Sequence, residues 1–321
     1  MKSNLLIELY RRASIKAALG AHQNQILREN RIKAFLTGAC LFAAIAVEAP
    51  SAELPMLHDK QWMGYYAVHA SKSYHFKIPA ADGKVVLAPI SANDERISGS
   101  LDVVIGFGII ETLPDGKTTL RPIRVDTLES NDPATDKLSK STLRAKTAAD
   151  ASLEITIEQA RGVVFVGTRV LDPGTLKNPL RGFVTAVFPV TMPGAEAVKQ
   201  QENLDERDAK RAAKKAAKEA EEKLKENVVD LKWTDGKRKR LTFAEVVDAG
   251  SQEFNGPGIA AAEIISAPYK GRRIFLTAAA NSAMKLSNIK PASLSEGYSI
   301  QWSPDPAKDK DGKARLALEV K

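Results

Sequence analysis

The stretch Val103-Val104-Ile105-Gly106-Phe107-Gly108-Ile109-Ile110-Glu111-Thr112-Leu113-Pro114-Asp115-Gly116-Lys117-Thr118-Thr119-Leu120-Arg121-Pro122 decides the fold class. A β-branched, apolar run stops at Asp115-Gly116, and a second strand-like run follows at once. Asp-Gly suits a two-residue hairpin turn, because both central positions need a positive φ that Gly adopts freely and Asp tolerates. The Asp-Gly-Lys triplet recurs at 82–84, 235–237 and 311–313. Each copy lies beside apolar or alternating runs: 74–78 and 84–90, 228–234 and 237–243, and 315–320. Their spacing is irregular, which argues against a repeat architecture.

Further strands are expected at 153–157, 163–170, 183–190, 260–266, 272–278 and 298–302. Several alternate well enough to have one dry and one wet face, so the expected class is mainly β, built of antiparallel β-sandwich-like segments. Residues 131–149 are polar and rich in Lys, Thr and Ala, and read as a long loop with one short helix.

The sharpest change of composition is at 195–226, dominated by Ala, Glu, Lys and Arg with no Gly or Pro inside. It reads as a helix of about thirty residues, roughly 45 Å long. Glu206 with Lys210, Glu219 with Lys223 and Glu221 with Lys225 have the favourable spacing of four. Val198, Leu204 and Leu224 are too sparse for a core-facing stripe, so this is a charged, largely solvated helical insertion or spacer. The resulting division is an N-terminal extension and secretory signal at 1–52, a β-rich domain at 53–194, the insertion at 195–227, and a β-rich segment at 228–321. The last either forms its own core or shares the first.

The leader reading rests on Arg28, Arg31 and Lys33 ahead of an uncharged, mostly apolar run at 34–47, closed by Glu48 and Pro50. That run is shorter than the roughly twenty residues a membrane-spanning helix needs. Pro50, Ser51 and Ala52 offer a small-residue exit, placing the cut after Ala52 and the mature chain outside the cytoplasm, periplasmic or secreted. Retention of the leader as an anchor is the alternative. Cys40, the only cysteine, follows Thr37-Gly38-Ala39, a poor lipobox because Thr37 stands where an aliphatic residue belongs. Membrane attachment is therefore expected only if the leader stays or Cys40 carries lipid. Cleavage would remove the only thiol, leaving neither a disulfide framework nor thiol chemistry. It would also lower the formal charge from +8 to +4, which does not call for a nucleic-acid partner.

Candidate chemistry is thin. Trp62, Tyr65, Tyr66, His69, Tyr74, His75 and Phe76 concentrate aromatics in a chain with only 6% of them. Exposed, Trp62, Tyr65, Tyr66, His69 and Tyr74 would make a ligand-binding surface of the kind that stacks on sugars; buried, they are simply the core of the first hairpin. His69 and His75 share a face only if Ala70 pairs with Tyr74. If Ala70 pairs with Ser73 they point apart, and in either case they supply two ligands at most, so no metal and no cofactor are expected. Gly116-Lys117-Thr118 resembles the end of a P-loop and Gly106-Phe107-Gly108 the start of a dinucleotide fingerprint, but Glu111 occupies the required glycine position in both. Ser282-Ala283-Met284-Lys285 matches S-x-x-K without the companion motifs. The four cations Lys237 to Arg240 read as a protected edge strand rather than a phosphate contact.

The leading expectation is an exported, non-catalytic β-rich envelope or secreted protein with an interaction or structural role. Its partner would be another envelope protein or a polysaccharide. A carbohydrate- or cell-envelope-polymer-binding module and a secreted hydrolase using paired carboxylates are the alternatives.

Overall fold

The computed structural model describes residues 54–81, 84–91, 97, 102–191, 211, 215, 227–242, 255–266, 269–289 and 295–321. The chain divides into Met1–Ser51 and Ala52–Lys321. The leader, the cut after Ala52, Cys40 and the Asp82-Gly83 turn all lie outside the described residues.

Among the described residues, seventeen strands form one hydrogen-bonded sheet. They are β1 Tyr65–Ala70, β2 Tyr74–Pro79, β3 Val85–Pro89, β4 Val103–Thr112, β5 Thr118–Pro122, β6 Glu129–Ser130, β7 Lys140–Lys146, β8 Ser152–Ala160 and β9 Val163–Asp172. Then follow β10 Leu180–Thr191, β11 Val228–Trp233, β12 Arg238–Thr242, β13 Ile259–Ile265, β14 Arg273–Ala278, β15 Ser282–Ile289, β16 Ser295–Pro304 and β17 Leu316–Val320. Every strand pairing is antiparallel, so the mainly β, antiparallel reading holds.

The sheet is not a pair of separate sandwich segments. One arm runs β1, β2, β3, β4, β10, β16, β15, with β5 hydrogen-bonded beyond β3 on the same edge of β4. The other runs β6, β7, β8, β9, β17, β14, β13, β11, β12. The bridge Ile259↔Met284 joins β13 to β15 across the arms, and the isolated bridges Ala67↔Thr135 and Ile123↔Thr147 link them again beside β1 and β5. The sheet curls so that β10 meets β8 and β9 face to face, and a Cβ on Gly182 would collide with Thr168 and press on Leu153. Only glycine allows that approach of the two layers. Buried residues from both sides of the 195–227 stretch, such as Val184, Phe188, Leu276, Leu318 and Trp302, belong to one core.

The long charged helix expected over 195–226, within the 195–227 insertion, is not borne out. Among the described residues of that stretch only Arg211 and Lys215 have helical conformation, both exposed. The remainder, Asn227 apart, lies outside them.

Two Asp-Gly turns are hairpins of a different type from the one expected. Gly116 and Gly236 have φ of 80° and 88°, but neither Asp115 nor Asp235 has a positive φ. Gly116 N–H bonds to Leu113 O and Leu113 N–H to Lys117 O, a turn through Pro114-Asp115 followed by a left-handed glycine. Asp115 Oδ1 accepts from Lys117 N–H at 3.0 Å, as Asp235 does from Lys237. Tight turns with two positive φ values occur instead at Arg161-Gly162, between β8 and β9, and at Lys270-Gly271, where Arg272 N–H bonds to Tyr269 O.

Residues 131–149 are not a loop with a helix, since they hold β7. Its sequence Lys-Ser-Thr-Leu-Arg-Ala-Lys alternates exposed and buried, with Ser141, Leu143 and Ala145 inward. Two of those inward residues are small or polar, which hides the strand from a hydrophobicity reading.

Leu318 lies fully buried between Leu276 of β14 and Val164 of β9. Leu318→Ala should therefore lower stability by about 2–5 kcal/mol in urea unfolding. Gly182→Ala should cost about 1–3 kcal/mol by overpacking the layers at Thr168. A loss under about 0.5 kcal/mol, the usual range of surface substitutions, would contradict the face-to-face packing.

Candidate functional site

The aromatic cluster is divided by register. Ser71 closes the turn between β1 and β2, its Oγ donating to Tyr74 O and accepting from Ser73 and Tyr74 N–H. Ala70 thereby opposes His75, and His69 opposes Phe76. Both of the registers considered from sequence are replaced, and the two histidines fall on opposite faces because alternate positions of a strand point oppositely. They do not share an ion. Among the described residues no group of three or more His, Cys, Asp or Glu is arranged to hold a metal.

One face of this hairpin is core. Tyr66 and Tyr74 are each 1% exposed. The Tyr66 hydroxyl hydrogen-bonds with Ser130 Oγ at 2.8 Å and Ser141 Oγ at 2.9 Å, and Tyr74 Oη donates to Gly162 O. Burial pushes the Tyr74 phenol above its ordinary range. Neither ring can meet a ligand, so Tyr66 and Tyr74 leave the candidate surface. His69, half-buried against Tyr74 at 5.7 Å, has its imidazole pushed below its usual value by burial.

The other face retains a surface. Trp62 meets His75 edge to face at 5.2 Å and Tyr65 at 6.2 Å, and Lys77 Nζ lies 5.6 Å from the Tyr65 ring centre. Trp62, Tyr65 and His75 are half-buried. The segment that carries Trp62 folds back on itself, with Leu57 N–H bonded to Tyr65 O and Gly64 N–H to Leu57 O. It projects Met56 and Met63, at 49% and 63% exposure. The segment that supplies Trp62 to the aromatic cluster thus also carries two exposed methionines.

Glu111, the residue that spoils both phosphate motifs, is structural. Its side chain is 5% exposed. It accepts from Arg121 Nη2 at 2.7 Å and Nε at 3.2 Å, and from Asn178 Nδ2 at 2.7 Å. The Arg121 bonds first, and Asn178 second, hold its carboxyl below the usual range. Ser282 and Lys285 of the S-x-x-K match sit on opposite faces of β15. Ser282 Oγ accepts from buried Trp302 Nε1 at 2.8 Å and donates to Ala279 O, so it is a packing residue.

Among the described residues, two of the concavities lie over β11–β14 and beside β10, β15 and β16, and a smaller one of about 200 Å³ lies at β6 and β7. The first, about 410 Å³, overlies β11 to β14. Its two carboxylates are paired, Asp230 with Arg240 in a bidentate pair at 2.6 and 2.7 Å and Glu263 with Arg273 at 3.0 Å, and Lys232, Arg238 and Lys239 line it as well. Of the four consecutive cations, Lys237 is paired to Asp235 and Arg240 to Asp230, in keeping with an edge strand rather than a free anion site. The second, about 340 Å³, lies where β10, β15 and β16 meet the 255–258 loop, and Arg181 and Lys285 line it. Sequence reading missed this place, because its residues are a hundred positions apart and no local motif joins them.

No protein-family model matches the chain, and no curated protein sequence matches it. Among solved structures, it is similar to the Slr1438 protein from Synechocystis sp. PCC 6803, with a TM-score of 0.42 and 11% identity over 84% of this chain and 97% of that one. It is also similar to a putative aldose 1-epimerase from Escherichia coli K12, with a TM-score of 0.38 and 10% identity over 80% and 98%. Neither likeness is close enough to define a family for this chain.

The depressed Glu111 carboxyl has a pH consequence. Its stabilisation is fully present above the unfolded value near 4.5 and is lost as pH falls through the lower folded value. Glu111→Gln should reduce stability at pH 7 and flatten its decline below pH 4.5. Urea midpoints from pH 7 to pH 3 for both proteins test this, and parallel curves would refute it.

Proposed function

We propose that this is an exported, non-catalytic binding protein whose partner surface is the Trp62 cluster with Met56 and Met63. The observation that carries the reading is the exposure of those two methionines on the segment that supplies Trp62 to the half-buried aromatic rings. Aromatic residues and Met are enriched at protein interfaces, and methionine's flexible thioether adapts to a partner's shape. A half-buried ring pre-ordered by neighbours loses little side-chain freedom on contact, which favours it as an anchor. The leader at 34–47 supports an extracytoplasmic address, so an envelope protein is the partner of first choice. A polysaccharide partner is the second reading, favoured by the donor-lined concavity between β10, β15 and β16.

The address is tested by fusing residues 1–60 to a reporter enzyme that is active only outside the cytoplasm. Activity is expected with the intact leader and not after deletion of 34–47; equal activity in both would refute export. The surface is tested by photo-crosslinking in intact cells from position 63, with the exposed Leu171 position as control. A discrete adduct at 63 that is absent at 171 and weakened by Trp62→Ala is expected. Equal labelling at both positions would overturn the surface assignment.

A further inference from the structure

Most arginines with a role in this fold are matched to an acceptor. Arg121, Arg124, Arg169, Arg240 and Arg273 each meet a carboxylate. Arg272 donates to the carbonyls of Ile90, Lys72 and Ser91. Arg181 is different: its Nε is buried and has no hydrogen-bond partner among the described residues. The same is true of Gln301 Nε2. Burying a donor without an acceptor costs about 1–3 kcal/mol, so two such donors on one sheet face call for an explanation.

Register places them together. Thr185 opposes Gln301, and Gln301 opposes Lys285, so these three share a face across β10, β16 and β15. Arg181 lies on the same face of β10, since it is an even number of residues from Thr185. Arg181 and the exposed Lys285 line the 340 Å³ concavity. Between them the strands present the small side chains of Ala283 and Ser303, which leave the floor open. The one nearby carboxylate, Asp305, already accepts from Ala307 N–H and lies 3.4 Å from Lys308.

We propose that this concavity binds a carboxylated carbohydrate, with the Arg181 guanidinium receiving the carboxylate of a uronic-acid unit and Lys285 donating to an oxygen beside it. A guanidinium that offers its two terminal nitrogens in one plane matches the two oxygens of a carboxylate. The volume is at the small end of ligand pockets, which suits one sugar unit of a chain crossing the sheet rather than a large enclosed ligand. Hydroxyl-bearing Thr185, Ser299 and Ser303 along the same face suit a polyhydroxylated chain better than an acidic peptide. This site is separate from the Trp62 surface, and either can fail without the other.

The test titrates the full-length mature chain with a galacturonate trimer, a neutral galactose trimer and an acidic peptide, by calorimetry at low salt. Saturable binding of the galacturonate trimer is expected, at least about tenfold tighter than for the other two. Arg181→Gln should weaken it by about tenfold or more, and Lys285→Gln by about threefold, as for a lost partner of a buried and of an exposed charge. Gln301→Leu supplies the control for folding. It removes a buried unsatisfied donor that does not line the concavity, so its thermal midpoint should hold or rise and binding should be kept. No saturable binding, equal affinity for the neutral trimer or the peptide, or unchanged affinity in Arg181→Gln and Lys285→Gln would each overturn the proposal.

Discussion

The C-terminal strand β17 is paired along both edges, to β14 from Ile274↔Val320 to Ala278↔Leu316 and to β9 from Leu316↔Val166 to Glu319↔Val163. On the opposite arm β10 does the same between β4 and β16. Each junction marries a strand from before the 195–227 stretch to one from after it. A strand hydrogen-bonded on both sides has no bare edge, so both halves depend on the junctions for their backbone satisfaction as well as for burial. Neither half is complete alone: Leu318 has Leu276 on one side and Val164 on the other.

The same two junctions create the outer surfaces. Arg181 comes from the first half, while Gln301 and Lys285 come from the second, and only the β10–β16 pairing sets them on one face. Elsewhere the outer faces are charge-matched across neighbouring strands, as Arg240 with Asp230 and Arg169 with Glu154 show. Cross-strand pairs of that kind add little stability when exposed. The unmatched donors on β10 and β16 stand out against this background. The Trp62 surface has a local origin, being built by one short segment folding back on β1.

Much of the architecture was legible in the chain. Alternation identified most of the strands, and Asp115-Gly116 and Asp235-Gly236 marked real hairpins, although the second of the two residues alone takes the left-handed conformation. β7 escaped because Ser141 and Ala145 bury themselves without being strongly apolar. β15 escaped because its Ser and Lys invited comparison with a catalytic motif, when an odd separation on a strand sends them to opposite faces. The aromatic cluster was found, but its division into core and surface was not legible. That division follows from the Ser71 turn, and a shift of one residue in register moves each side chain to the other face.

By itself the sequence determined the local part of this protein: antiparallel strands of period two, and glycines where the backbone must turn with positive φ. It also holds the apolar run at 34–47, behind Arg28, Arg31 and Lys33, from which an extracytoplasmic address is proposed. Tertiary structure alone decided which strands are neighbours, that the two halves share one core, which tyrosines are buried, and which donors are left without acceptors. The physical reason is that alternation records only that a strand has an inside and an outside. It is indifferent to the partner, and pairing such as Thr185 with Gln301 spans more than a hundred residues with no trace in the local pattern.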